Sequence, residues 1–390
     1  MKQLNLISLL LLIIILFSCS KEKKMDGVYF EKSFAGARLD SVVNLGDNEY
    51  LTYISPAFEP VNPSAYFAFT VTSKSEKDIE IQLNYGKHKH RYIPKLSTNR
   101  QSWKKIDPNN ISVDTLNGTA KIKLKVSPQK IYVAAQEIET TEDTYRWVDS
   151  LIKIHPELNK IVAGKTTLNN NNYCLELEKE NTKNAIVLIA RQHPQEIPGG
   201  TIGFKAFYET LLSDTNIAKN FREHFNIYSF PLFNPDGADM GNWRHNAKGV
   251  DLNRDWKDFT QPETKMAKTY FENKIKQGNK LRFAIDFHTS YSGPYLLVLD
   301  SLNQTKSKYI TSDWIRNIET NSHFKVQDRK RSQKLPYCYN YFYNQFGCEA
   351  VTYEDGDEVD RIIIKLKAKV YATELMKILI NKIETNAFEN

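Results

Sequence analysis

The stretch Ala185-Ile186-Val187-Leu188-Ile189-Ala190-Arg191-Gln192-His193-Pro194-Gln195-Glu196-Ile197-Pro198-Gly199-Gly200 is an apolar run that opens directly into a histidine and a glutamate three residues apart. A run this short and this uniformly apolar predicts a buried strand. In open α/β sheets the ligand site lies outside the carboxyl ends of the strands, which is where His193 and Glu196 fall. An imidazole nitrogen and a carboxylate are good zinc ligands, and the gap lets one turn of backbone present both to one ion. The prolines and glycines around them shape a tight exit before a helix near Thr201.

Working outward, strand-like runs recur over 225–230 and 282–287 and alternate with helical stretches over 203–212 and 262–275. That alternation predicts an α/β domain with a mixed, largely parallel sheet flanked by helices. It begins near Thr140, where Thr140-Thr141-Glu142-Asp143 resembles a capping box and Tyr145, Val148 and Ile152 follow at helical spacing. A closing amphipathic helix is expected through Ile362, Leu366, Val370 and Ile378. Upstream, runs such as Ile79-Glu80-Ile81-Gln82-Leu83 and Ile122-Lys123-Leu124-Lys125-Val126 alternate with period two, with a turn at Asn117-Gly118. Half-buried antiparallel strands follow, hence a small antiparallel β-sandwich. The expected division is a β-sandwich over 25–139 and a catalytic domain over 140–390. His88 and His90, two apart between lysines, are expected on a solvated strand edge, not at a metal.

The run Phe283-Ala284-Ile285-Asp286-Phe287 ends in His288, placed as His193 is, and completes a zinc set of His193, Glu196 and His288 with one position open for water. No His-Glu-x-x-His occurs, which excludes a zinc helix of that type. Between the two strands lie Asn234-Pro235-Asp236-Gly237, then Asn242-Trp243-Arg244-His245-Asn246, then Asp251-Leu252-Asn253-Arg254-Asp255-Trp256. A segment so dense in Asn, Gly, Asp and Arg forms loops, where sites are built.

In this order the motifs resemble the zinc carboxypeptidase family. The string from Asn234 to Trp256, with Gln261-Pro262-Glu263-Thr264 after it, is most similar to the cytosolic-carboxypeptidase-like branch, whose members carry a β-sandwich before the catalytic domain. The resemblance implies one zinc ion on His193, Glu196 and His288 and hydrolysis of the C-terminal residue of peptides by zinc-activated water. It gives Arg244 the scissile carbonyl, and gives Asn253 and Arg254 the free C-terminal carboxylate of the peptide. A guanidinium is a fixed fork matched to a carboxylate, which suits these roles; ion pairing with Asp251 and Asp255 is the competing assignment. A catalytic glutamate is implied at the end of the last core strand. Glu354 stands there, where Ala350-Val351-Thr352-Tyr353 ends, with Asp355, Asp357 and Glu358 as alternatives. A substrate-covering tyrosine is expected upstream, with Tyr337 and Tyr339 as candidates, and Arg329, Lys330, Arg331 and Lys334 nearby read as a solvated loop, a preference for acidic substrates being the alternative. The rival functions are a murein-peptide amidase, an N-acyl amino acid deacylase, and an inactive lipoprotein that binds glycan or protein.

The chain has 390 residues, 41% of them hydrophobic, enough for two cores. Its net charge of +7 is spread over short mixed-sign runs, so no nucleic-acid partner is indicated. Lys2 precedes an apolar run from Leu9 to Phe17, too short for a comfortable membrane span, which reads as a signal segment over 1–18. Leu16-Phe17-Ser18-Cys19 resembles a bacterial lipobox. It predicts a lipidated Cys19, a tether over 19–24, and a membrane-anchored location in the cell envelope. The other cysteines, Cys174, Cys338 and Cys348, are too few and too scattered for a disulfide framework or a zinc ribbon and read as buried thiols, a Cys338–Cys348 pair being the alternative.

Overall fold

A computed structural model describes residues 27–59, 66–300 and 310–388. The apolar N-terminal run, Cys19 and the lysine-rich tether lie outside the described residues. None of the described helices is long and apolar enough to cross a membrane.

The N-terminal part contains β1 (Val28–Glu31), β2 (Ser41–Gly46), β3 (Glu49–Tyr53), β4 (Ala68–Ser73), β5 (Lys77–Asn84), β6 (Lys95–Ser97), β7 (Lys104–Lys105), β8 (Ile111–Asp114), β9 (Thr119–Val126) and β10 (Ile131–Ala134). They form two sheets, ordered β1-β4-β10-β6-β7 and β2-β3-β5-β9-β8. The period-two runs do what their pattern demands. Ile79, Ile81 and Leu83 face Leu124, Ile122 and Ala120 across β5 and β9, all turned inward, while the lysines between them face water. Full burial of such an aliphatic side chain stabilises by about 1.5–3 kcal/mol. One pair departs from the antiparallel expectation: β3 and β5 are parallel, because β4 crosses to the opposite sheet between them.

His88 and His90 are not on a solvated strand edge. Both lie in the loop after β5, where Glu59 folds over Lys87 and His88 (Nζ–Oε2 2.6 Å and Nε2–Oε1 3.1 Å) and leaves His88 buried. The Nδ1 of His90 meets the Tyr85 hydroxyl at 3.0 Å.

The second part runs α1 (Thr141–Ile154), β11 (Asn159–Lys165), β12 (Asn171–Leu177), β13 (Asn184–Ala190), α2 (Phe204–Leu211), α3 (Asn216–His224), β14 (Asn226–Phe230), α4 (Pro235–Asp239), α5 (Pro262–Lys276), β15 (Lys280–Ser290), β16 (Tyr295–Leu299), α6 (Ile310–Asn321), β17 (Asp328–Arg331), α7 (Cys338–Phe346), β18 (Glu349–Gly356) and α8 (Arg361–Glu384). Thr140 caps α1 in a full capping box with Asp143. One sheet orders these strands β11-β12-β14-β13-β15-β18-β16-β17. Its centre, β14-β13-β15-β18, is parallel, and β12 and β16 join it antiparallel.

The central strands are apolar on both faces because helices cover both. Ile186 and Leu188 of β13 meet a core shared with α2, α3, α6 and α8, while Val187 and Ile189 meet a second core with Phe271 of α5 and Phe342 of α7. The closing helix buries Ile364, Ala368, Tyr371, Leu375 and Leu379, not the expected stripe: Ile362 and Leu366 are exposed. Its first turns carry apolar residues on both faces, so spacing alone does not choose the buried one. The three described cysteines are buried free thiols.

Candidate metal centre and active site

Connections leave β13 toward β14 on one side, and the chain then returns to β15 on the other. The crevice at the carboxyl ends of β13 and β15 is therefore a topological switch point, the place where such sheets bind ligands. The exit from β13 is held by Arg191, whose φ of 61° is rare for a residue with a side chain. Its buried guanidinium donates to the carbonyl oxygen of Pro194, to Thr201 Oγ1 (2.8 Å) and to the Glu139 carbonyl (2.9 Å). This folds the loop back on itself and lifts His193 and Glu196 into the crevice. A π-helical turn over Pro198–Gly203 leads into α2. It packs so tightly on β15 that a Cβ on Gly199 would collide with the His288 carbonyl, which accounts for the glycine.

His193, Glu196 and His288 meet there, all buried, the one such grouping of three ligand residues among the described residues. His193 Nδ1 lies 2.8 Å from Glu196 Oε1, His288 Nδ1 2.7 Å from Glu196 Oε2, and the two Nδ1 atoms 3.1 Å apart. The far nitrogens are taken: His193 Nε2 lies 2.9 Å from Asp251 Oδ1 and His288 Nε2 2.8 Å from Asp286 Oδ2. A carboxylate behind each imidazole fixes its proton on Nε2 and aims the Nδ1 lone pair at a common point, so the donor set fits zinc with an open position. Burial would raise the Glu196 carboxyl, but the two imidazoles hold it far below the usual range. For His288, burial opposes the charge and Asp286 and Glu196 outweigh it, so its pKa stands well above the ordinary value.

Strand register brings a fourth group alongside. His288 pairs with Glu354 across β15 and β18, so their side chains share a face. Glu354 is buried, its Oε2 has no hydrogen-bond partner, and burial, reinforced by Glu196 and Asp286, pushes its carboxyl up to about 8 despite His288 and Arg244. The other acids of this turn are engaged elsewhere: Asp355 with Lys367, Asp357 with Arg91, and Glu358 with Lys95 and Lys105. Asp251 also accepts from Arg244 Nε at 2.6 Å. Arg254 is 44% exposed, lies over the Tyr337 ring at 4.3 Å, and its Nη1 is 4.0 Å from Asp251 Oδ2. Asn253 accepts from the Cys338 N–H at 2.9 Å, which places its Nδ2 3.2 Å from His288 Nε2, on the outer side of that ring.

Residues 144–376 match the family model for zinc carboxypeptidases. The chain belongs to the zinc carboxypeptidase family. Cytosolic carboxypeptidase 6 of Mus musculus is 26% identical over 266 residues, 61% of this chain and 48% of that protein. Cytosolic carboxypeptidase 2 of Homo sapiens is 34% identical over 130 residues, 33% of this chain and 14% of that one. The chain thus spans about half or less of these curated relatives. Among solved structures, the metallo-carboxypeptidase from Burkholderia cenocepacia superimposes with a TM-score of 0.75 at 18% identity, covering 92% of this chain and 99% of that one. One from Pseudomonas aeruginosa gives 0.73 at 17% identity over 91% and 99%. Both likenesses establish the fold.

Within this member of the family, several site residues escape a reading of the sequence. Asp251 is a partner of Arg244, as the competing assignment had it, but it also holds His193. Asp255 pairs with neither arginine; it binds the Thr260 and Gln261 amides and the Thr264 hydroxyl. Behind His288 runs a relay in which Trp256 Nε1 donates to Gln192 Oε1 (2.7 Å) and Gln192 Nε2 donates to Asp286 Oδ2 (2.7 Å). The signal for Asp286 was present, since a strand places residues i and i+2 on one face. Tyr339 is only 1% exposed, so of the two tyrosine candidates only Tyr337 reaches the rim, where Arg254 covers it. The basic run is a short edge strand, β17, with Arg329 stacked 3.6 Å over Tyr295, the residue paired with Glu354.

Proposed function

We propose that this chain is a metallocarboxypeptidase that removes the C-terminal residue of a peptide by adding water across its last amide bond. One observation carries the reading: Asp251 gathers three functions, with His193 on Oδ1, Arg244 on Oδ2 and Arg254 4.0 Å from that same oxygen. His193, Glu196 and His288 would hold zinc, which when bound would supply Lewis acidity and a water of lowered pKa. Glu354 takes a proton from the attacking water and delivers it to the leaving amine as the C–N bond breaks, and a carboxyl titrating near neutrality suits both halves of that task. The Nη donors of Arg244 meet the carbonyl oxygen as it gains charge. Arg254, exposed and only distantly paired, is satisfied by a free terminal carboxylate, with Asn253 Nδ2 as a further donor. The Pseudomonas aeruginosa neighbour is in complex with (2-guanidinoethylmercapto)succinic acid, a carboxylate ligand consistent with such a clamp.

Mass spectrometry of a mixed peptide and muropeptide pool tests the reading. Single C-terminal residues are expected to be lost, and Arg254→Met to lower kcat/KM by about 10²-fold, the worth of a charge-assisted hydrogen bond of about 2–3 kcal/mol, with zinc content unchanged. Equal cleavage of C-terminally amidated peptides would sink the clamp; cleavage confined to muropeptides would favour the amidase.

We infer further, from Leu16-Phe17-Ser18-Cys19, that a lipid on Cys19 anchors the enzyme to a membrane of the cell envelope. Cys19→Ala is expected to shift the protein from the membrane to the soluble fraction on cell fractionation. An intact-mass spectrum of the membrane-bound wild type lacking any lipid increment would refute it.

A further inference from the structure

The β-sandwich reaches into the machinery of the α/β domain at two points, and one side chain joins them. Arg91, in the loop between β5 and β6, binds Asp357 bidentately: Nε to Oδ2 at 2.7 Å and Nη2 to Oδ1 at 3.0 Å, with side chains 9% and 5% exposed. Asp357 lies three residues beyond Glu354, directly after the end of β18. The same guanidinium lies 4.9 Å from the ring centres of Tyr92 and Trp243. Trp243 belongs to the loop that carries Arg244, yet it is buried in the hydrophobic core of the sandwich, edge-on to Tyr92 at 5.5 Å.

Neighbouring contacts reinforce both grips. Lys95 Nζ and the Ile93 amide bind Glu358 Oε1 at 2.7 and 3.1 Å. The Gly36 amide donates to the Asp239 carbonyl at 2.8 Å, and Gly241 (φ 65°) packs on Ala37 so closely that a Cβ would collide with its backbone. By contrast, the bonds that orient His193, Glu196 and His288 come from Asp251, Asp286, Thr289 and one another, all within the α/β domain. The sandwich therefore makes direct contact with the supports of the base and of the carbonyl-binding arginine, and meets the metal ligands only indirectly, through the field of Arg91 at Glu196 and through the Glu139 carbonyl on Arg191.

We propose that Arg91 is a positioning residue for hydrolysis, through which the β-sandwich sets the placement of Glu354 and Arg244 relative to the metal. It acts on Glu354 through Asp357 and on Arg244 through Trp243, and so makes the sandwich part of the active site. This rests on the roles given above to Glu354 and Arg244. Reacting groups are sensitive to such support, since a displacement of about 1 Å costs on the order of 10²-fold in rate.

The test uses the full chain, as wild type, Arg91→Met, Arg91→Lys and the double variant Arg91→Met/Asp357→Asn, which leaves no unpaired buried charge. Zinc per chain, Tm, kcat and KM are measured on a peptide with a free C-terminus. Arg91→Met is expected to keep its zinc and a KM within about 3-fold while kcat falls 10- to 100-fold. Arg91→Lys, which keeps the charge and loses the fork, is expected to recover part of kcat. The double variant is expected to regain Tm without regaining kcat, the split that a purely stabilising contact would not produce. A double variant with wild-type kcat, or loss of zinc in step with loss of rate, would overturn the proposal. An inactive wild type would overturn the carboxypeptidase reading itself, whereas an active wild type with an unimpaired Arg91→Met would overturn this inference alone.

Discussion

His288→Ala is expected to abolish zinc binding and peptide hydrolysis together. The imidazole supplies one of three metal-facing atoms, 2.7 Å from Glu196 Oε2 and 3.1 Å from His193 Nδ1, and alanine offers nothing in its place. Losing an outer partner of a zinc ligand costs roughly 10–100-fold in affinity, so losing the ligand costs more than that. The substitution also leaves the Asp286 carboxylate buried without the cation it faces, so a lower Tm should accompany the loss. Acid should mimic the variant in the wild type. With its pKa held well above the ordinary value by Asp286 and Glu196 against burial, metal-free His288 carries a proton that zinc must displace, and zinc affinity falls as pH falls. Metal analysis after dialysis, alongside initial rates, checks both. One zinc per chain at wild-type affinity in His288→Ala would remove this residue from the ligand set.

Glu354→Gln should leave the metal in place and remove the chemistry. The amide matches the carboxylate in shape but accepts no proton from water, and losing a positioned general base costs about 10²–10⁴-fold in rate. KM should change little, because the proposed mechanism has the terminal carboxylate held elsewhere, by Arg254 and Asn253. Stability gives an independent readout. Glu354 sits buried with Oε2 unpartnered and its carboxyl is pushed from 4.5 up to about 8, chiefly by burial. Because the native pKa lies above the unfolded one, the native state holds more protons between those values. The metal-free wild type therefore loses stability as pH rises from about 4.5 to about 8. Glutamine lacks that titration, so the metal-free variant should melt higher than wild type above pH 8 and draw level below pH 4.5. Zinc would shrink the difference by favouring the carboxylate. A variant with full kcat would transfer the role of base to another group.

What the sequence made legible follows from where free energy is concentrated. β13, β15 and β18 announce themselves because burial on both faces keeps their central runs largely apolar, and His193, His288 and Glu354 stand within three residues of where those runs end. The capping box at Thr140 was equally plain, since it is local. β11 escaped notice because its run Asn159–Lys165 is mostly exposed and lacks the apolar repeat. Arg191 was invisible for the opposite reason: nothing in a sequence marks a fully buried arginine, whose donors are satisfied by Pro194, Thr201 and Glu139 only once the chain has folded. Arg91 and Asp357 stand 266 positions apart, beyond the reach of any periodicity. The lysines beside His88 and His90 misled because charge normally means water, and Glu59 supplies the counter-charge from another loop.

The parallel arrangement of β13, β15 and β18 has a bearing on how the molecule comes into being. The two histidines are 95 positions apart, and His288 and Glu354, which face each other in the ladder, are separated by 354 − 288 = 66. A fragment must run at least from His193 to Glu354 to carry the whole constellation. Loop-closure entropy grows only as the logarithm of length, so the two closures differ by about 0.3 kcal/mol and set no order of assembly. What sets it is the direction of synthesis: the ion's cradle is complete once β15 docks beside β13, whereas the proton acceptor arrives with β18, the last of the described strands. With the roles proposed above, a chain made in this order is born unarmed. Its metal cradle precedes its proton acceptor, and the chemistry proposed above waits for β18 to close the sheet.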